Sequence, residues 1–152
     1  MRRKDAAMAT KKMRMSYFTV MAHALTGGRA YAGDENSPAG FLKLTTTGRK
    51  SGQARTVELL YMRDGPRYVV TASNAGKQRN PGWYFNVQSN PQVTIHAHDR
   101  DMPALAQVAS PEQRNILWAK LIEIAPFYGG YERRLTREIP MVLLAPLDTS
   151  AS

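Results

Sequence analysis

The amino-acid sequence predicts an α+β, β-rich domain. About six mainly antiparallel strands close into a barrel or half-barrel, with helices at its periphery. Three observations predict this. Several short runs alternate apolar and polar residues, the pattern of half-buried strands. Turn signals such as Asp64-Gly65-Pro66 follow these runs closely, and so short a connection joins antiparallel neighbours, since a parallel crossover needs about a dozen residues. Helical periodicity and capping signals are confined to short segments between the runs.

Residues 1–29 form a basic N-terminal segment and helix, residues 30–147 the barrel domain, and residues 148–152 a disordered tail. From Met13 the apolar positions Tyr17, Val20, Met21, Ala24 and Leu25 keep helical spacing until Gly27-Gly28 ends the helix. After a loop at 30–39, residues 40–46 (GFLKLTT) and 55–62 (RTVELLYM) read as strands. The Asp64-Gly65-Pro66 turn leads into a returning strand at 67–73. Asn80 reads as an N-cap and Pro81 as the first position of a short helix carrying Trp83, Tyr84, Phe85 and Val87, stopped by Asn90-Pro91. Residues 92–98 alternate as a strand, with 102–109 as partner. Ser110-Pro111-Glu112-Gln113 is a capping box, opening a helix to about Ala125 with Leu117, Leu121 and Ile124 on one face. Pro126 breaks it, a second helix covers roughly 127–136, and the apolar run 139–147 is a buried last strand.

With 152 residues, 43% hydrophobic and 22% charged, the chain is an ordinary single globular domain. The absence of cysteine excludes disulfides, thiol catalysis, iron–sulfur clusters and thiolate zinc sites. No apolar run approaches the roughly 20 residues that span a bilayer, and no clean signal peptide stands at the N-terminus, so a cytoplasmic location is expected. The formal charge of +9 is uneven: residues 1–29 and residues 43–79 each carry a net +6. Two concentrated positive regions suit an anionic partner, whether nucleic acid, membrane surface or phosphorylated ligand.

Thr45-Thr46-Thr47-Gly48-Arg49-Lys50-Ser51-Gly52 puts hydroxyls, flexible glycines and two cations in one loop, with Arg55 just beyond. Such a loop offers N–H, O–H and charge to an anion, but it lacks the phosphate-loop spacing. A solvated basic hairpin explains the same residues equally well. Thr71-Ala72-Ser73-Asn74-Ala75-Gly76, followed by Asn80-Pro81-Gly82-Trp83-Tyr84, sets small polar residues before a helix start. Trp83 and Tyr84 suit stacking on a planar ligand, although filling the core is the favoured reading for such a pair. His96 and His98 share a strand face, which solvent exposure explains better than a metal. Tyr128 and Tyr131 are neighbours on a helix, and their phenols suit donation of a hydrogen bond or proton. No hydrolytic motif is present.

The strings LTTTGRKSGQAR (44–55), LLYMRDG (59–65) and TASNAGKQRNPGWYFNVQSNPQV (71–93) resemble the deazaflavin-dependent nitroreductase family over about residues 40–146. The resemblance implies a split β-barrel of the flavin-reductase type that uses coenzyme F-420. It implies Lys50 and Arg55, with Arg49 and Thr47 beside them, at the phosphate and oligoglutamate tail. It implies Thr71, Ser73 and Asn74 on the loop nearing the deazaflavin, Gly82, Trp83 and Tyr84 at the helix start, and Tyr128 and Tyr131 as the catalytic substrate wall. The chain departs from some relatives, which have lysine at Asn74, methionine at Gly82 and tyrosine at Leu60.

The expected function is hydride transfer between reduced coenzyme F-420 and an electrophilic acceptor, a quinone, enone or nitro compound. The alternatives are an FMN-binding oxidoreductase on the same fold and a non-catalytic cofactor-binding protein. A nucleic-acid-binding barrel is disfavoured, because its aromatics would interleave with bases on strands. No metal is expected, and the oligomer is a monomer or homodimer. Residues 2–14 hold six bases and one acid ahead of the apolar stripe. Packing of that stripe on the barrel is the favoured reading, and peripheral contact with an anionic membrane the alternative.

Overall fold

A computed structural model describes residues 37–147, so the expected N-terminal helix and the tail at 148–152 lie outside the described residues. The strands are β1 (Ala39–Thr47), β2 (Ala54–Asp64), β3 (Arg67–Thr71), β4 (Gln92–Ala97), β5 (Arg100–Val108) and β6 (Met141–Pro146). They pair antiparallel throughout, in the order β1-β2-β3-β6-β5-β4. β4 returns to β1, with Lys43 opposite His96 and Thr45 opposite Thr94, and the sheet closes into a barrel. Closure leaves no row of unpaired edge amides. Three helices complete the described chain: α1 (Gly82–Ser89), α2 (Pro111–Ile124) and α3 (Phe127–Arg134). None is long and apolar enough to cross a membrane.

Alternation decides what each strand buries. Leu42, Leu44, Val70, Ile95, Ala104, Val142 and Leu144 fill the barrel interior, joined by Trp83, Tyr84 and Val87 of α1. Tyr61 also points inward, opposite Gly40. A Cβ on Gly40 would sit 2.8 Å from the Tyr61 hydroxyl, so only glycine leaves room for that ring. The outward residues Leu60, Met62, Val69, Met141 and Leu143 form a second core with Leu117, Trp118 and Leu121 of α2 and Tyr128 of α3. β6 is therefore buried on both faces, which explains its near-continuous apolar run.

The capping box forms as the sequence predicts. The Ser110 side chain accepts from the Gln113 backbone N–H at 3.2 Å, and the Gln113 side chain accepts from the Ser110 N–H at 3.0 Å.

Three local expectations are corrected. α1 begins at Gly82 with Pro81 as its cap residue, because the Asn80 side chain is drawn away to accept a hydrogen bond from Arg137 at 2.7 Å. The strand expected to reach Ser73 ends at Thr71, where the chain enters a short 3₁₀ turn at Asn74–Gly76. His96 and His98 do not share a strand face. His98 and Asp99 have φ of 55° and 60° and form the tight turn of the β4–β5 hairpin, the geometry that matches strand twist. His96 instead pairs with Asp101 at 2.7 Å, and His98 lies 3.4 Å from the Tyr61 hydroxyl.

Candidate functional site

The β1–β2 turn is closed by backbone bonds from the Gly48 N–H to Gln53 at 2.7 Å and from the Gly52 N–H to Gly48 at 2.8 Å. Gly52 has φ of +72°, a conformation that costs glycine nothing. The turn is fastened to α1 through Asn86. The buried Asn86 amide donates to the Thr46 hydroxyl at 3.0 Å and its oxygen accepts from the Arg49 N–H at 3.1 Å, while the Arg49 guanidinium lies 4.8 Å over the Phe85 ring. Thr47 is half-buried beside it. Lys50 and Arg55 are exposed, and Arg55 has the Ser51 hydroxyl within 3.5 Å. Neither cation meets a carboxylate among the described residues.

The second arm starts where β3 ends. Thr71 and Ser73 are both buried, at 8% exposure. Ser73 is right-handed, and Asn74, Ala75 and Gly76 follow with φ of 50°, 54° and 81°. A right-handed residue followed by a left-handed one turns successive N–H groups into a concavity that receives an anion or carbonyl oxygen. The left-handed conformation costs a residue with a Cβ about 1–2 kcal/mol, so the surroundings must hold Asn74 and Ala75 there. The Asn74 side chain helps by donating to the Arg79 carbonyl at 2.9 Å. Gly82 is exposed, with open space where a Cβ would stand. Trp83 and Tyr84 are 6% and 9% exposed and belong to the barrel interior, where their rings fill the core.

α1 links the two arms. It begins where the second ends, and it carries Phe85 and Asn86, on which the first rests.

The tyrosines part company. Tyr131 is half-buried against the second arm, and a Cβ on Gly76 would stand 2.8 Å from its ring. Tyr128 lies behind it in the outer core, edge-on to Tyr131 at 5.8 Å and stacked on Phe127 at 4.5 Å. Burial, and next the neighbouring Tyr131, push the Tyr128 phenol well above its ordinary range, so it stays protonated at physiological pH.

A cavity of about 540 Å³ opens beside the β1–β2 turn. Of the loop singled out from sequence, Thr45, Thr46, Thr47 and Gly52 line it. Leu60 faces the outer core beneath α2. Sequence reasoning missed Asn86 and Arg137, because their partners come from distant parts of the chain and no motif announces them.

The chain matches the F420H(2)-dependent quinone reductase family over residues 12–146. An F420H(2)-dependent quinone reductase of Mycobacterium tuberculosis is 39% identical over 108 residues, covering 68% of this chain and 71% of that protein. The solved structure of an F420-H2 dependent reductase shares 34% identity with a TM-score of 0.63, covering 68% of this chain and 92% of that one. A second structure, described as a domain-swapped dimer, shares 31% identity with a TM-score of 0.64 over 90% of this chain and 98% of its own.

Proposed function

The chain belongs to the F420H(2)-dependent quinone reductase family and is an oxidoreductase using coenzyme F-420; from that premise we propose that the two arms hold the cofactor for hydride transfer to a quinone. The observation that carries this reading is the donor set. Residues 45–55 and 71–84 contain five cations, Arg49, Lys50, Arg55, Lys77 and Arg79, and no carboxylate. Hydroxyls and a left-handed turn accompany them. Such a set fits a cofactor whose phosphate and oligoglutamate tail carries several negative charges; the charge is equally compatible with FMN, and membership of the family selects coenzyme F-420.

When bound, the coenzyme supplies the redox chemistry. The chain binds, orients and excludes water. Lys50 and Arg55, with Arg49 and Thr47, hold the anionic tail. Thr71, Ser73 and Asn74 direct hydroxyl and amide donors at the polar edge of the ring system. Gly82 admits the ligand close to the start of α1, and Trp83 and Tyr84 support that start from within the barrel. Tyr131 faces the acceptor and offers its phenol to the acceptor oxygen. Tyr128 fixes the Tyr131 ring from behind and keeps its own proton.

The test is a parallel titration of purified protein with oxidised coenzyme F-420 and FMN, followed by reduction of a water-soluble quinone. Tighter F-420 binding with turnover is expected. Preferential FMN binding would overturn the cofactor assignment, and binding without turnover would leave a carrier.

The basic N-terminal segment carries a separate proposal, peripheral contact with an anionic membrane where lipid-soluble quinones reside. Its support is the six bases among residues 2–14. Deleting residues 1–12 is expected to abolish co-sedimentation with anionic vesicles while preserving turnover of a soluble quinone. Absence of vesicle binding by the full chain at low salt would dismiss the proposal.

A further inference from the structure

Arg137 lies in the segment between α3 and β6, outside every motif the sequence presents. Its guanidinium donates across the back of the second arm. Nε donates to the Lys77 carbonyl at 3.0 Å, Nη1 to the Ala72 carbonyl at 3.2 Å and the Asn80 side chain at 2.7 Å, and Nη2 to the Ser73 carbonyl at 2.9 Å and Lys77 again at 2.9 Å. All three nitrogens are engaged, and the four acceptors span residues 72–80.

The consequence follows from the planarity of the peptide unit. In a trans peptide the N–H points opposite to the preceding carbonyl. Arg137 draws the carbonyls of Ala72 and Ser73 to its own side, so the N–H groups of Ser73 and Asn74 face the other way. Those two N–H groups have no partner among the described residues. They open the left-handed run Asn74-Ala75-Gly76, in which the positive φ of Asn74 and Ala75 is a conformational cost that the surroundings must offset.

We propose that Arg137 is a positioning residue that holds the peptide planes of Ala72–Asn74 so that their N–H donors stand ready for the polar edge of the cofactor. The proposal rests on the reading that this arm meets coenzyme F-420. It separates Arg137 from Lys50 and Arg55: Arg137 spends its charge on carbonyls and acts through neutral amides, whereas they act on the anion directly.

Arg137→Lys and Arg137→Gln test it, because lysine keeps the charge without the planar fork. Hydrogen exchange of the cofactor-free protein comes first. The Gly76 and Lys77 amides, bonded to Ser73 and Asn74 at 2.9 and 3.1 Å, are the reporters. Exchange there is expected to accelerate at least tenfold in both variants, with the Ile95 and Val142 amides of the barrel unchanged. Affinity for oxidised coenzyme F-420, followed by its fluorescence, is expected to fall roughly tenfold. That loss persists at high salt, while the loss in Lys50→Ala shrinks. Wild-type exchange at Gly76 and Lys77, unchanged affinity, a loss that salt screens away, or global unfolding of both variants would each overturn the proposal. Failure of the wild-type protein to bind F-420 would instead overturn the functional reading, and the exchange result alone then judges the lock.

Discussion

Burial and charge act on single side chains here in opposite ways. Lys50 and Arg55 are exposed cations, and a charge-assisted hydrogen bond from either to an anionic cofactor is worth about 1.5–3 kcal/mol. Lys50→Ala and Arg55→Ala are each expected to weaken coenzyme F-420 binding ten- to a hundredfold, by fluorescence titration, and the loss should diminish as salt rises. Tyr128 is the contrary case. Its folded pKa is raised above the ordinary value of about 10, chiefly by burial, so the folded state retains the proton more tightly than the unfolded state. Stability from this group is complete below pH 10 and declines as pH climbs above it. Denaturant titrations between pH 9 and 11 should show a falling stability in the wild type and a flatter curve in Tyr128→Phe. Turnover separates the two tyrosines: Tyr131→Phe is expected to lower quinone reduction, and Tyr128→Phe to leave it near wild type at neutral pH. Equal effects would place both phenols in the same role.

At the scale of elements, the site depends on how a turn is fastened to a helix. Asn86 uses both ends of its amide, one on Thr46 and one on the Arg49 N–H, and so determines where the β1–β2 turn sits on α1. Asn86→Leu keeps the volume but leaves a buried hydroxyl and an amide without partners, a cost of about 1–3 kcal/mol. Thermal melts are expected to show that loss, accompanied by weaker cofactor binding although residue 86 carries no charge. The start of α2 offers a control. Ser110→Ala removes one half of the capping box, costs about 1 kcal/mol, and is expected to spare cofactor affinity, since α2 packs on the far face of the sheet.

The whole molecule is one closed sheet with a core on each side. The interior packs around Leu44 and Ile95, and the outer core packs α2 and α3 onto β2, β3 and β6. Because β3 and β6 contribute to both cores, neither layer can open while the other persists. Leu44→Ala and Leu121→Ala, one from each side, are each expected to cost about 2–5 kcal/mol and to shift a single cooperative transition. Two resolved transitions in either variant would contradict that coupling.

Strand alternation, turn residues and the Ser110–Gln113 capping box were readable from the chain, because each depends on neighbours within a few residues. So was the cationic, acid-free character of the two arms, which is a matter of composition. The resemblance of residues 44–55 and 71–93 to deazaflavin-dependent enzymes carried the cofactor, since composition alone suits any polyanion. Other features depended on contacts across the fold. Trp83 and Tyr84 read as core, with a ligand platform as the alternative, and α1 turns them into the barrel. Tyr128 and Tyr131 read as equivalent helical neighbours until burial under α2 and contact with Gly76 divided them. Asn80 reads as a helix cap only while Arg137, 57 residues away, is ignored. Local chemistry is written in short spacings. Tertiary structure alone decides which donor reaches which acceptor, because a hydrogen bond is made between atoms adjacent in space, whatever their separation along the chain.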